Sequence, residues 1–256
     1  MDGSRSLATI VATLEGAGCI AATEEAEELL AAARHGDHLD EMVCRRVTGE
    51  PLAWITGSVV FCGLDVAVEP GTYVPRWQSE RLAWRATQLL PPDGLGVDLC
   101  TGSGAIAMVM RSGRPRARVV GTEIDPSAAR CARLQGVEVY EGSLCEPLPG
   151  ELAGQVDVMT GVLPYVPSNA LHLLPRDVQR FEPRRALDGG RRGLAVVSDA
   201  VTTSPRWLKR GGWLLIEIGA DQVYETTTLF ANSGFVDLEL VEDGDGDVRG
   251  LGGRLL

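Results

Sequence analysis

The chain has 256 residues, 45% hydrophobic and 23% charged, with a formal net charge of −11 and a pI of about 4.8. This is an ordinary globular composition, and its acidic balance repels phosphate backbones and anionic lipid surfaces, which argues against nucleic-acid or membrane partners. No apolar run is long enough to span a bilayer, MDGSRSLATI does not read as a signal peptide, and the six scattered cysteines show no C-x-x-C, so a cytoplasmic protein without metal or disulfides is expected.

The chain opens with helical periodicity. Leu7, Ile10, Val11 and Leu14 share one helix face, closed by Gly16 and Gly18. TEEAEELLAAARHG places acids early and Arg34 late, as the helix dipole favours. Leu39, Met42, Val43 and Val47 form a third stripe. A helical segment over 1–50 follows. From Gly57 the texture becomes extended, and VVFCGLDVAVEPGTYVPR reads as a hairpin turning at Cys62-Gly63 within a linker over 51–76.

From 77 to 256 short β-rich runs alternate with helical ones. Strands are expected at Gly96–Cys100, Val119–Glu123, Val137–Tyr140, Val156–Gly161 and Trp213–Ile218. Helices are expected at Glu80–Leu90, Ala105–Arg111, Pro126–Leu134 and Gly193–Leu208. Such alternation implies an α/β fold with a doubly wound, mostly parallel sheet. The tail FVDLELVEDGDGDVRGLGGRLL reads as two strands around an Asp/Gly turn, an antiparallel end to that sheet. Its EDGDGD lacks the terminal bidentate Glu of a calcium loop and reads as a solvated turn.

VDLCTGSGAIAMVM carries the strongest chemical signal. A strand runs into a turn, Cys100-Thr101-Gly102-Ser103-Gly104, and a helix starts near Ala105. Gly102 and Gly104 admit a ligand where a Cβ would clash, and the helix start offers free N–H groups to a carboxylate. The turn does not fit the dinucleotide pattern G-x-G-x-x-G. Asp98 before it fits a methyltransferase that holds S-adenosylmethionine. Glu123 ends the next strand 21 residues after Gly102, where a carboxylate can accept from both ribose hydroxyls, with Ile124 beside it. Ser143 and Leu144 follow the third strand, where an adenine amino group needs an acceptor, and Gly161 ends the fourth.

At this point the chain resembles the release-factor glutamine methyltransferases, the HemK-like group. GEPLAWITG, TYVPR with Glu80, VDLCTGSGAIA with Cys100 at the position of the first Gly, and RFEPRRALDGGRRGL are similar to segments of that family. The resemblance implies a helical front domain, a β-hairpin linker and a Rossmann-like class I methyltransferase domain that uses S-adenosylmethionine. It also implies a catalytic Asn-Pro-Pro-Tyr after the fourth strand. Here those positions hold Val162, Leu163, Pro164 and Tyr165. In the family the Asn side chain and a backbone carbonyl accept from the substrate amide and turn its nitrogen towards the methyl group. Val162 accepts nothing, at a cost of ~1–3 kcal/mol for an unpaired donor.

Tyr165 and Pro164 remain to stack on and wall the acceptor, and Glu182 in RFEP and His172 are the candidates to take a proton. Trp54, Trp77 and Trp84 are expected to pack the domain junction, and Trp77 alternatively projects into the acceptor cavity. His35 and His38 read as residues stabilised at a helix end. The expected acceptor is a small planar molecule, with the release-factor glutamine as the alternative and a non-catalytic binding module as a third reading. Nothing in the sequence fixes an oligomeric state.

Overall fold

The computed structural model describes residues 6–256; the expected helical segment also takes in residues 1–5, which lie outside the described ones. Four helices come first: α1 (Leu7–Gly16), α2 (Ala22–Ala32), α3 (Gly36–Val47) and α4 (Leu52–Thr56). Ser6 caps α1 by accepting from Thr9 N. The stripes meet in one core of Ile10, Leu14, Ala26, Leu29, Leu39, Met42 and Val43. No helix of this length is stable alone, so this shared burial holds the four together. Val47, assigned to the third stripe, is exposed. Leu52–Thr56, within the expected linker, form α4 and add Ile55 to that core. His35 and His38 do not serve the end of α2: His35 Nδ1 accepts from His38 N and so caps α3 at its start.

A two-stranded hairpin, β1 (Ser58–Phe61) and β2 (Leu64–Ala67), turns at Cys62-Gly63, both at positive φ as a two-residue hairpin turn requires. Beyond it, helix α5 (Glu80–Leu89) leads to a seven-stranded sheet of β3 (Leu95–Leu99), β4 (Arg118–Glu123), β5 (Glu138–Glu141), β6 (Val156–Gly161), β7 (Leu208–Glu217), β8 (Phe235–Glu242) and β9 (Val248–Leu255). The spatial order is β5-β4-β3-β6-β7-β9-β8. Pairing is parallel from β5 to β7, and β9 is antiparallel to both neighbours. This is the expected α/β, Rossmann-like architecture with an antiparallel end. The connecting helices are α6 (Ala105–Gly113), α7 (Pro126–Leu134), α8 (Arg176–Phe181), α9 (Ala195–Thr203) and α10 (Val223–Asn232). Two apolar layers flank the sheet, one containing Val97, Met159, Leu214 and Phe230, the other Leu82, Ile106, Met110 and Val158.

The helix expected over 193–208 stops at Thr203. Ser204-Pro205 turns the chain, and Leu208 already opens β7 with its side chain buried. Of the three tryptophans expected at the junction, only Trp54 is buried there. It donates to Thr72 O at 3.1 Å and meets Phe181 edge-on; Trp77 and Trp84 are exposed. Gln135, just after α7, ties the hairpin to the glycine turn. Its amide accepts from Ala67 N at 2.7 Å and donates to Ala67 O at 3.1 Å and Ser103 O at 2.6 Å.

Candidate active site

In a parallel sheet the carboxyl ends of the strands gather along one edge, and ligands sit where the strand order reverses. Here β3, β4, β6 and β7 end in Leu99, Glu123, Gly161 and Glu217. Two adjoining clefts lie along this edge, and Val162 borders both.

The first cleft is walled by Asp98, Cys100, Thr101, Gly102, Ser103, Glu123 and Ile124, with Tyr73 and Pro164 towards the second. The turn after β3 is left-handed at three positions, Cys100 (φ 52°), Gly102 (φ 57°) and Gly104 (φ 91°). Gly104 needs to be glycine twice over, because a Cβ there would also press on Val137 Cγ2 at 3.0 Å and Ala132 Cβ at 3.1 Å. Gly102 faces open space, with the nearest foreign atom 4.0 Å from an added Cβ.

Backbone groups hold the acids of this cleft in place. Glu123 accepts from Gly102 N at 2.9 Å and Asp125 N at 2.8 Å, one on each oxygen. Asp98 Oδ2 accepts from the Thr101 hydroxyl at 2.6 Å and Ala107 N at 3.2 Å. Burial pushes the Asp98 carboxyl up to about 7 against those two bonds. Burial also raises Glu123, resisted by the amides of Asp125 and Gly102. Neither acid has an ion-pair partner among the described residues, and Ser103 Oγ is buried without a partner beside them. Two unpaired carboxyls, an unused hydroxyl and a glycine open to the cleft fit a cationic cofactor carrying ribose hydroxyls.

The second cleft is bordered by Tyr73, Arg76, Gln78, Val162, Tyr165, Glu217 and Arg249, with Leu174, Pro175 and Val178 along one side. The Tyr165 hydroxyl donates to Glu217 Oε1 at 2.8 Å. Arg76 pairs with Glu182, whose side chain is only 1% exposed. Arg249 pairs with Asp243 and Asp247 and lies over the Trp77 ring. Burial raises the carboxyls of Glu182 and Glu217 and the phenol of Tyr165.

The relatives carry the comparison further. No family model matches the chain. It is 36% identical over 220 residues to a release factor glutamine methyltransferase of Geobacter sulfurreducens, covering 84% of this chain and 76% of that one. The chain belongs to the release factor glutamine methyltransferase family. A second member, from Mycolicibacterium smegmatis, is 36% identical over 229 residues, covering 87% and 79% of the two chains. A methyltransferase structure from Pyrococcus furiosus superposes with a TM-score of 0.55 at 17% identity, covering 75% of this chain and 89% of that one, which supports the fold. The chain is an S-adenosylmethionine-dependent methyltransferase.

Within this family frame, the structure brings together Asp98, Cys100, Thr101, Gly102, Glu123, Ile124, Val162 and Pro164 at the first cleft. Gly104 stands behind it as packing, and Tyr165 belongs to the second cleft. Gly161 is buried at the end of β6, where a Cβ would meet Leu99 O at 2.6 Å, so close strand packing accounts for it. Ser143 and Leu144 do not line either cleft; they border a separate groove with Asp199, Thr202 and Thr203. Glu182 does not border the second cleft but a groove shared with His172, and its ion-pair partner is Arg76. Trp77 projects to solvent, outside both clefts. Sequence reasoning missed Tyr73, Arg76, Glu217 and Arg249. Glu217 carried a signal: a lone acid at the end of the apolar run WLLIEIG.

Proposed function

We propose that the chain transfers a methyl group to the side-chain amide nitrogen of a glutamine in a protein loop of the release-factor kind. The polar side chains of the second cleft carry this reading. Arg76, Gln78, Tyr165, Glu217 and Arg249 border it beside Val162, and such a set suits a hydrogen-bonding amide on a peptide better than an aromatic face. Leu163 also borders this cleft but is 1% exposed and packs mainly in the core. The relatives named release factor glutamine methyltransferases support the same acceptor. So does the front helical region. It docks on α8, which borders the second cleft, through Trp54 on Phe181 and Arg180 Nη1 donating to Thr48 O at 3.0 Å.

S-adenosylmethionine supplies an already activated methyl group, so the protein has mainly to align and enclose. Glu123, held by two backbone amides, receives the ribose hydroxyls. Asp98 faces the cationic amino-acid end near Gly102. Pro164 and Tyr73 wall the passage between the clefts, and Tyr165, held by Glu217, flanks the acceptor. The test is incubation of the full chain with cofactor and a release factor bearing its Gly-Gly-Gln loop, read by mass spectrometry. One added methyl on that glutamine is expected.

A second reading, favoured by the loss of the amide acceptor at Val162, is methyl transfer to a small planar molecule through a ring carbon, amine or hydroxyl. Methylation of a compound in a metabolite extract, with none of the release factor, would establish that reading in place of the first.

A further inference from the structure

Glu217 is the last residue of β7 and is 3% exposed. A buried carboxyl is costly unless both oxygens are satisfied. Oε1 is satisfied by the Tyr165 hydroxyl at 2.8 Å. Oε2 is buried with no hydrogen-bond partner, and the residue borders the second cleft. The cation of that cleft nearest in charge, Arg249, is committed to Asp243 and Asp247. The Ser79 hydroxyl faces the same carboxyl but makes no hydrogen bond of ordinary geometry.

The sheet register says where this oxygen stands. Parallel pairing sets Gly161 beside Ile216. The residues that follow on the two strand ends, Val162 and Glu217, both border the second cleft. The unsatisfied carboxylate therefore neighbours the position where the family resemblance puts an amide-orienting Asn and where this chain has an isopropyl group.

We propose that Glu217 does the work of the missing carboxamide: Oε2 accepts an N–H of the acceptor NH2 group, turns the nitrogen towards the methyl group, and receives the proton that the nitrogen sheds. This rests on the amide-acceptor reading above. As the nitrogen–methyl bond forms, the sulfur–methyl bond breaks and its electron pair returns to sulfur, leaving a neutral thioether. The nitrogen then holds one proton too many, which passes to Oε2. A carboxylate accepts more strongly than a carboxamide and is also a base, so moving the acceptor to the neighbouring strand keeps the orientation and adds a destination for the proton.

The experiment uses the full chain, S-adenosylmethionine and a release factor with its Gly-Gly-Gln loop. Glu217→Gln keeps the shape. With its oxygen engaged by Tyr165, however, it presents a donor to the substrate's donor. We expect cofactor affinity by calorimetry within about twofold of wild type, and a rate lower by ~10–100-fold. Adding Val162→Asn to that variant should recover ~10-fold or more, since a side-chain acceptor returns from the other strand. If Glu217→Gln melts early, Glu217→Asp keeps the charge but withdraws the oxygen, and the same loss and recovery are expected. Wild-type rates in a folded Glu217 variant, or no recovery with Asn at 162, overturn the assignment and leave the acceptor reading standing. A wild-type chain that does not methylate the release factor overturns the acceptor reading, and the role of Glu217 with it.

Discussion

The cofactor cleft is held largely by main chain: Gly102 N and Asp125 N hold Glu123, Ala107 N holds Asp98, and left-handed residues shape the turn. The acceptor cleft is held by pairs of side chains, Arg76 with Glu182, Tyr165 with Glu217, Arg249 with Asp243. Backbone donors survive most substitutions, whereas a side-chain pair is lost with either member. The first arrangement keeps one cofactor through sequence drift, and the second lets the acceptor contacts be rewritten. Val162, which borders both clefts, stands where the two constructions meet.

The largest effect should come from breaking a side-chain pair. Arg76→Ala leaves the Glu182 carboxylate buried and uncompensated, which costs about 3–5 kcal/mol. Denaturant unfolding should show that loss; a change below about 1 kcal/mol would mean that the acceptor cleft does not depend on its pairs. Next comes Glu123→Ala, expected to weaken S-adenosylmethionine binding by ~1–3 kcal/mol through the lost charged hydrogen bonds. Calorimetry finding unchanged affinity would remove Glu123 from the ribose contact.

The glycine turn, the acids near the ends of β3 and β4, and the mostly parallel sheet with its antiparallel end were legible because each rests on local chemistry. A strand must end before a turn, and a ribose needs a carboxylate at a set distance. Helix α10 was not read, because its Thr-rich run YETTTLFAN has weak helical propensity and only packing of Thr226 and Phe230 settles it. The partner of Glu182 was not legible for a related reason. Arg76 lies 106 residues away in sequence, and neighbouring arginines offered nearer answers. Glu217 was overlooked because a single acid in an apolar strand says nothing of the neighbouring strand end until the register is known.

Proton linkage sharpens the comparison further. Asp98 titrates near pH 7 in the free chain because it is buried. A bound cation favours its charged form and pulls that value down. Below about pH 7 the carboxyl must release a proton to bind cofactor, so affinity should fall as pH falls, approaching about tenfold per pH unit. Above 7 it should be flat, and calorimetry in buffers of different ionisation enthalpy should detect proton release at pH 6. Affinity independent of pH between 5 and 8 would separate Asp98 from the cofactor. The smallest effect concerns Cys100, a non-glycine residue at φ 52° where relatives are expected to carry Gly. Cys100→Gly should relieve the left-handed strain and raise stability by up to about 1 kcal/mol while leaving cofactor affinity within about twofold. A loss of stability would show that packing of the thiol outweighs the strain.

Gln135 gives the hairpin and the glycine turn a common fate. One amide side chain bonds both Ala67 and Ser103, so lifting β2 away frees the turn in the same event. The two are therefore expected to open as one cooperative unit in native-state hydrogen exchange. A ligand seated on the turn stabilises every state in which the turn is closed. The Ala67 amide, which does not line the cofactor cleft, should therefore exchange more slowly once the cofactor is bound.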